Sequence, residues 1–247
     1  MFKLFVSIFL LLLPIQVLAS DCQPYVGEEM KYHVGWEFID AGSATMKVLK
    51  TKTGYRIQSL AKSEGMFSVV KKVRDEIVSE GICRDGKMQS TLFSVKQLEH
   101  KYKAEKKTVF DWKNEKALYT QNGKTDAYDV PAGYLNVLDA FFLLRDMPMQ
   151  KGHVLKVPIF DARKLYDIEV HVLGKEKIKL SNGQSVSCIV IEPKLKSEAI
   201  FSSIGTMKVW LSDDKHRVPV KMSAKIRFGR IIARLSQYKK AGVRVKW

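Results

Sequence analysis

The chain has 247 residues and a formal charge of +16, with 42 Lys and Arg against 26 Asp and Glu. Its length suits one large β domain with a sizeable core, and its charge implies affinity for polyanions, although basic residues scattered along alternating segments argue against nucleic acid. Three cysteines, Cys22, Cys83 and Cys188, are too far apart for any CxxC redox or zinc motif.

At the N-terminus, Lys3 precedes the apolar run 4–18, and Ala19 closes it. A single cation, an apolar stretch too short to span a bilayer comfortably and a small residue at the end make residues 1–19 a signal peptide, cut after Ala19. Asp21 before Cys22 disfavours lipid attachment, so a soluble mature protein in the periplasm is expected. An oxidising compartment permits a disulfide, and Cys22 with Cys83 is the favoured pair. Cys188 lies in Ser187-Cys188-Ile189-Val190-Ile191, which reads as a buried strand where a thiol acts as a small hydrophobe.

Period-two alternation then dominates. It runs through 30–36, 44–49, 55–61, 168–173 and 177–180, while 186–191 and 207–211 are more continuously apolar. Thr53-Gly54, Asp85-Gly86, Asn122-Gly123, Asn182-Gly183 and Asp213-Asp214 supply turns between strands. Residues 66–73 fit a helical turn or a strand equally well. Residues 134–145 are apolar nearly all round, follow Pro131 and Gly133, and precede Pro148, which predicts a helix that must be covered on every side. The clearest strand is the last. Val218, Val220, Met222, Ala224, Ile226 and Phe228 alternate with a mostly cationic face, and Gly229-Arg230 turns into Ile231, Ala233 and Leu235. The prediction is a mainly β protein: a curved antiparallel sheet forming a roll, sandwich or partly open barrel, with one apolar helix packed on or plugging it.

No local catalytic signature is present: no G-x-S-x-G elbow, HExxH or phosphate loop. His33, His100, His153, His171 and His216 are dispersed, and Asp139 and Arg145 stand six apart, off a common helix face. No catalytic residue, metal site or cofactor is predicted. The sheet needs a second layer, and one helix leaves room for an apolar pocket. Its candidate lining is Trp36, Leu138, Phe141, Phe142, Trp210, Val220, Met222, Ile226 and Phe228. Lys221, Lys225, Arg227, Arg230 and Arg234 are the candidates for an anionic surface contact.

Several separated motifs resemble a bacterial exported family of unknown function, DUF3108. They are Gly27-Glu28-Glu29-Met30-Lys31-Tyr32-His33-Val34-Gly35-Trp36, Ala41-Gly42-Ser43-Ala44-Thr45-Met46-Lys47-Val48 and Asp139-Ala140-Phe141-Phe142-Leu143-Leu144-Arg145. Gly152, Val157-Pro158-Ile159-Phe160-Asp161, Met207-Lys208-Val209-Trp210-Leu211-Ser212-Asp213-Asp214 and Arg217-Val218-Pro219-Val220 complete the set. The resemblance covers nearly all of residues 20–247 as a single domain and implies an exported β protein with no established activity. The hairpin from Trp210 to Val220 is also similar, at fold level, to periplasmic lipoprotein-carrier and related lipid-binding proteins, which implies apolar-ligand binding.

Together these readings predict a non-enzymatic periplasmic protein that binds a lipid or lipid-like ligand and turns a basic surface toward an anionic membrane or wall polymer. The alternative is an envelope structural or protein-interaction module whose core is fully packed.

Overall fold

The computed structural model describes residues 25–84, 86–194 and 204–245. The predicted signal segment 1–19 and Cys22 lie outside them. Eight strands form the first half of the chain: β1 (Glu28–Trp36), β2 (Ile39–Lys50), β3 (Gly54–Ser63), β4 (Val73–Arg84), β5 (Lys87–Glu99), β6 (Tyr102–Asp111), β7 (Lys116–Gln121) and β8 (Lys124–Asp129). A one-turn helix α1 (Phe67–Val70) joins β3 to β4, so the ambiguous segment 66–73 is helical first and extended from Val73. After helix α2 (Val137–Asp146) come β9 (Val154–Asp161), β10 (Lys164–Lys179), β11 (Ser185–Pro193), β12 (Ile204–Ser212), β13 (Pro219–Ile226), β14 (Arg230–Lys240) and the short β15 (Val243–Arg244).

Each half is an antiparallel meander, and the pairing of β1 with β14 zips the two into one sheet, ordered β8 to β1 and then β14 to β9. Its edges, β8 and β9, are not hydrogen-bonded to each other. Side chains meet there instead. Phe160 of β9 stands edge-on to Phe110 of β6 with ring centroids 6.1 Å apart, and lies 6.0 Å from Tyr128 of β8. The Arg163 guanidinium sits 5.6 Å from the Tyr119 ring centre. A right-handed strand twist accumulated over fourteen strands curls the sheet this far. The predicted curved antiparallel sheet is therefore present as a partly open, barrel-like structure.

Helix α2 occupies the concave side. Leu138 and Phe142, four residues apart, pack with Met30, Ile57 and Phe93 of the first half. Ala140 and Leu144 pack with Ile168, Ile191 and Leu211 of the second. An i, i+4 pair on each flank explains why the helix has to be apolar nearly all round. It begins later than the sequence predicts. Asn136 accepts from the backbone N–H groups of Leu138 at 3.0 Å and Asp139 at 3.1 Å, which caps the first turn. Leu135 stays extended and forms a parallel bridge to Ile159 on the open edge of β9.

The predicted hairpin forms from β13 and β14, with Gly229 at φ +84° in the turn. One irregularity changes its faces. Trp210 pairs with Lys221 but the next residue, Leu211, pairs with Pro219, which leaves Val220 as the extra residue of a β-bulge. Val220 and Lys221 consequently lie on one side of the sheet and Met222 on the other.

Candidate functional site

Between α2 and the concave face lies a cavity of about 230 Å³. Val137, Leu138, Ala140, Phe141 and Leu144 form its roof. Met46, Ile77 and Phe93 line it from the first half, and Ile168, Ile191, Val209 and Met222 from the second. No charged or hydrogen-bonding side chain borders it, so nothing inside would hold an ordered water. Pro193 and Met207, which flank the undescribed segment 195–203, belong to the same lining.

Of the nine predicted pocket residues, the structure brings Leu138, Phe141 and Met222 together here. Phe142 is fully buried beside them, packed edge-on against Tyr25 at 5.1 Å between ring centroids. Trp36, Ile226 and Phe228 line a different groove of about 460 Å³ at one end of the strands. Trp210 and Val220 are buried on the convex side with Val186, Cys188 and Val190. Trp210 is there by the ordinary alternation of β12, whose Val209 and Leu211 face the other way, and Val220 because of the bulge, since a one-residue slip turns a side chain to the opposite face.

The helix that roofs the cavity is fastened by two buried polar clusters. At its N-terminal end Asp139, fully buried, accepts from the Tyr55 hydroxyl at 2.8 Å, the Ser79 hydroxyl at 2.7 Å, the Ser90 hydroxyl and Asn136 Nδ2 at 2.9 Å. Burial pushes its pKa up to about 6 even though these four donors favour the carboxylate. At the C-terminal end Arg145 meets Glu28 through two bonds of 2.8 and 3.1 Å, with both side chains wholly buried. Its remaining donors reach the carbonyls of His216 at 2.6 Å and Arg217 at 3.0 Å, and its guanidinium stacks 4.2 Å from the Tyr25 ring centre. The Tyr238 hydroxyl donates to Glu28 at 2.8 Å. The separation of Asp139 and Arg145 is thus used to pin opposite ends of one helix to different strands. Their partners carry no local sequence signature. An acid and a base inside an otherwise apolar helix were the available signal.

None of Tyr55, Ser79, Ser90, Asn136 and Asp139 lines the cavity. Among the described residues, no group of three His, Cys, Asp or Glu is placed to hold a metal ion. No helix among them is long and apolar enough to cross a membrane. Cys83 is disulfide-bonded, and the favoured partner Cys22 lies outside the described residues. Cys188 is free and fully buried, and burial, followed by Asp213, Asp214 and Glu176 nearby, pushes its thiol up to about 12. Iodoacetamide at neutral pH should therefore leave Cys188 unmodified in the folded protein and label it on unfolding, read by mass spectrometry. Rapid labelling of the native protein would contradict its placement.

The five predicted surface cations share the β13–β14 hairpin. Lys225, Arg227, Arg230 and Arg234 are exposed. Lys221 is half-buried, its Nζ 4.2 Å over the Trp210 ring, and its pKa is lowered by burial and then by Arg234. The register sets Lys221 opposite Arg234 and Lys225 opposite Arg230. Like charges directly across a sheet repel, so this stripe costs stability unless an anion faces it.

A search of curated proteins finds no match. A solved structure described as a β-barrel-like protein of domain of unknown function DUF1849 from Brucella abortus is similar over 87% of this chain and 98% of that one. Its TM-score is 0.57 and its identity 12%, a likeness of fold. The family described as "Protein of unknown function (DUF3108)" matches residues 31–236, a span that takes in most of β1, helix α2 with the Asp139 cluster, and the β13–β14 hairpin up to Ser236, while Glu28 and Tyr238 lie just outside it. By that match the chain belongs to the DUF3108 family.

Proposed function

We propose that this protein is a non-enzymatic periplasmic carrier or sensor of a lipid or lipid-like chain, which it holds in the cavity under α2 while its cationic stripe faces anionic envelope components. The observation that carries the reading is the wholly apolar lining of a cavity roofed by a helix. At about 230 Å³ the space exceeds the ~150 Å³ apolar cavity that takes up benzene, yet it falls short of the ~300–1,000 Å³ of drug-sized sites. It suits the end of one hydrocarbon chain, with any head group outside. Each buried methylene contributes about 0.8 kcal/mol, so four of them are worth about 3 kcal/mol, roughly a hundredfold in affinity.

Enzymatic use of Asp139 or Arg145 is disfavoured because their polar atoms are taken up in fastening the helix. The cavity also favours ligand binding over a fully packed interaction module. Purification from the native periplasm followed by lipid extraction and mass spectrometry tests the reading. A bound acyl species is the expected result. Ala140→Phe places a ring in the cavity from the roof and should cut the amount recovered by roughly a hundredfold. An empty protein, or undiminished recovery from that variant, refutes it.

A further inference from the structure

We propose that one end of the sheet is a docking tip for an anionic lipid bilayer, formed by the β1–β2, β3–β4 and β13–β14 loops. This names the partner of the basic surface in the reading above; it shares that basic face and is independent of the cavity. Phe38 in the first loop is fully exposed. Met66, Val69 and Val70 in the second are 89%, 87% and 78% exposed, and Phe228 in the third is 68% exposed. Scattered apolar residues on a surface are ordinary, but these project from neighbouring loops at the same strand ends.

The loops are tied together beneath those side chains. Trp36 Nε1 donates to the Phe228 carbonyl at 2.8 Å, the Glu37 N–H donates to the Arg230 carbonyl at 2.8 Å, and the Trp36 and Phe67 rings lie 6.0 Å apart. The groove of about 460 Å³ between them is mainly apolar inside, and its charged lining residues are Lys62, Lys71, Asp75 and Glu99, with Lys62 ion-paired to Glu64 at 2.7 Å. Lys71 and Lys72 follow Val70, while Arg227 immediately precedes Phe228 with its guanidinium 5.3 Å from that ring. Lys225 and Arg230 continue these cations into the stripe on the hairpin. Within the three loops Lys71, Lys72 and Arg227 stand against Glu37 and Glu64, the latter paired with Lys62, and Lys225 and Arg230 add to the positive side. Apolar tips with a net positive charge around them match the boundary between acyl chains and anionic head groups. A neutral protein partner would gain nothing from the cations.

Co-sedimentation of the purified protein with vesicles of phosphatidylglycerol and phosphatidylcholine, and with phosphatidylcholine alone, tests the tip. The parent should bind the anionic vesicles much more tightly than the neutral ones. Phe38→Ser with Phe228→Ser should weaken anionic-vesicle binding by about tenfold, and Lys71→Glu, Lys72→Glu and Arg227→Glu together by about a hundredfold or more. Failure of the parent to bind, or unchanged binding by either variant, overturns the proposal. Ala140→Phe should bind vesicles like the parent, so loss of the cavity reading leaves this result standing. Loss of vesicle binding from Ala140→Phe alone would place the contact elsewhere and overturn the tip.

Discussion

Arg145→Met should lower the unfolding free energy by about 3–5 kcal/mol, the largest loss expected from any single substitution in the chain. The wild-type guanidinium and the Glu28 carboxylate are both wholly removed from water and joined by two hydrogen bonds. Methionine fills much of the volume but leaves the carboxylate with the Tyr238 hydroxyl and with Lys240 at 3.7 Å. It also strips a donor from the carbonyls of His216 and Arg217. In a domain of this size each kcal/mol lowers the melting temperature by about 2–4 °C, so a fall near 10 °C is expected. Urea unfolding supplies the free energy. Adding Glu28→Gln to Arg145→Met removes the stranded charge and should restore part of the loss, because an isolated buried ion costs more than an absent pair. A decrease below about 1 kcal/mol for Arg145→Met would mean that the pair is not closed off from solvent.

The consequence for function follows from where that pair sits. Glu28 opens β1, the strand that joins the two meanders, and Arg145 ends the helix over the cavity. Loosening it should let the roof move and should reduce lipid recovery alongside stability. The tip lies at the other ends of the strands, and its vesicle binding should persist at temperatures below melting.

How much of this was legible in the sequence depended on whether the signal was local. The β13–β14 hairpin was, since period two and Gly229 lie within a dozen residues of each other. The bulge at Val220 was not, because it exists only in the register against β12, and it sent Val220 to the convex side beside Trp210. Strands β4 to β8 were poorly marked for a related reason. Their buried positions include Ser79, Ser90, Ala104 and Thr108, small or polar residues that weaken the alternation. Ser79 and Ser90 are there to meet Asp139, 60 and 49 residues away, a pairing that no periodicity contains. Leu138, Phe141 and Met222 were identifiable as apolar and inward, but that they share one cavity depended on the curl of the whole sheet.

Asp139→Asn should remove about 2 kcal/mol or more of the loss of stability that the wild-type protein suffers as pH rises from about 4 to 7. Asp139 has its folded pKa raised by burial to about 6, against an unfolded value near 3.9. A raised pKa means that the folded state holds the proton more tightly. Its stabilising contribution is fully present below about pH 4 and is lost as pH climbs through about 6. A shift of about two units corresponds to roughly 3 kcal/mol, of which about 2 kcal/mol or more should be lost across that range. Asp75, also raised to about 6 by burial and by Glu99, titrates in the same window, so wild-type data alone do not isolate one residue. The difference between wild type and Asp139→Asn does. Asparagine keeps one acceptor oxygen for the Tyr55 and Ser90 hydroxyls, turns its NH2 toward the Ser79 hydroxyl oxygen and carries no proton equilibrium, whereas alanine would strand all three donors. Urea unfolding of both proteins at about pH 4 and pH 7 should give the larger drop for wild type. Equal drops would show that the carboxyl is not shielded from water, and the helix cap would then lose its place as the fixed point of the roof.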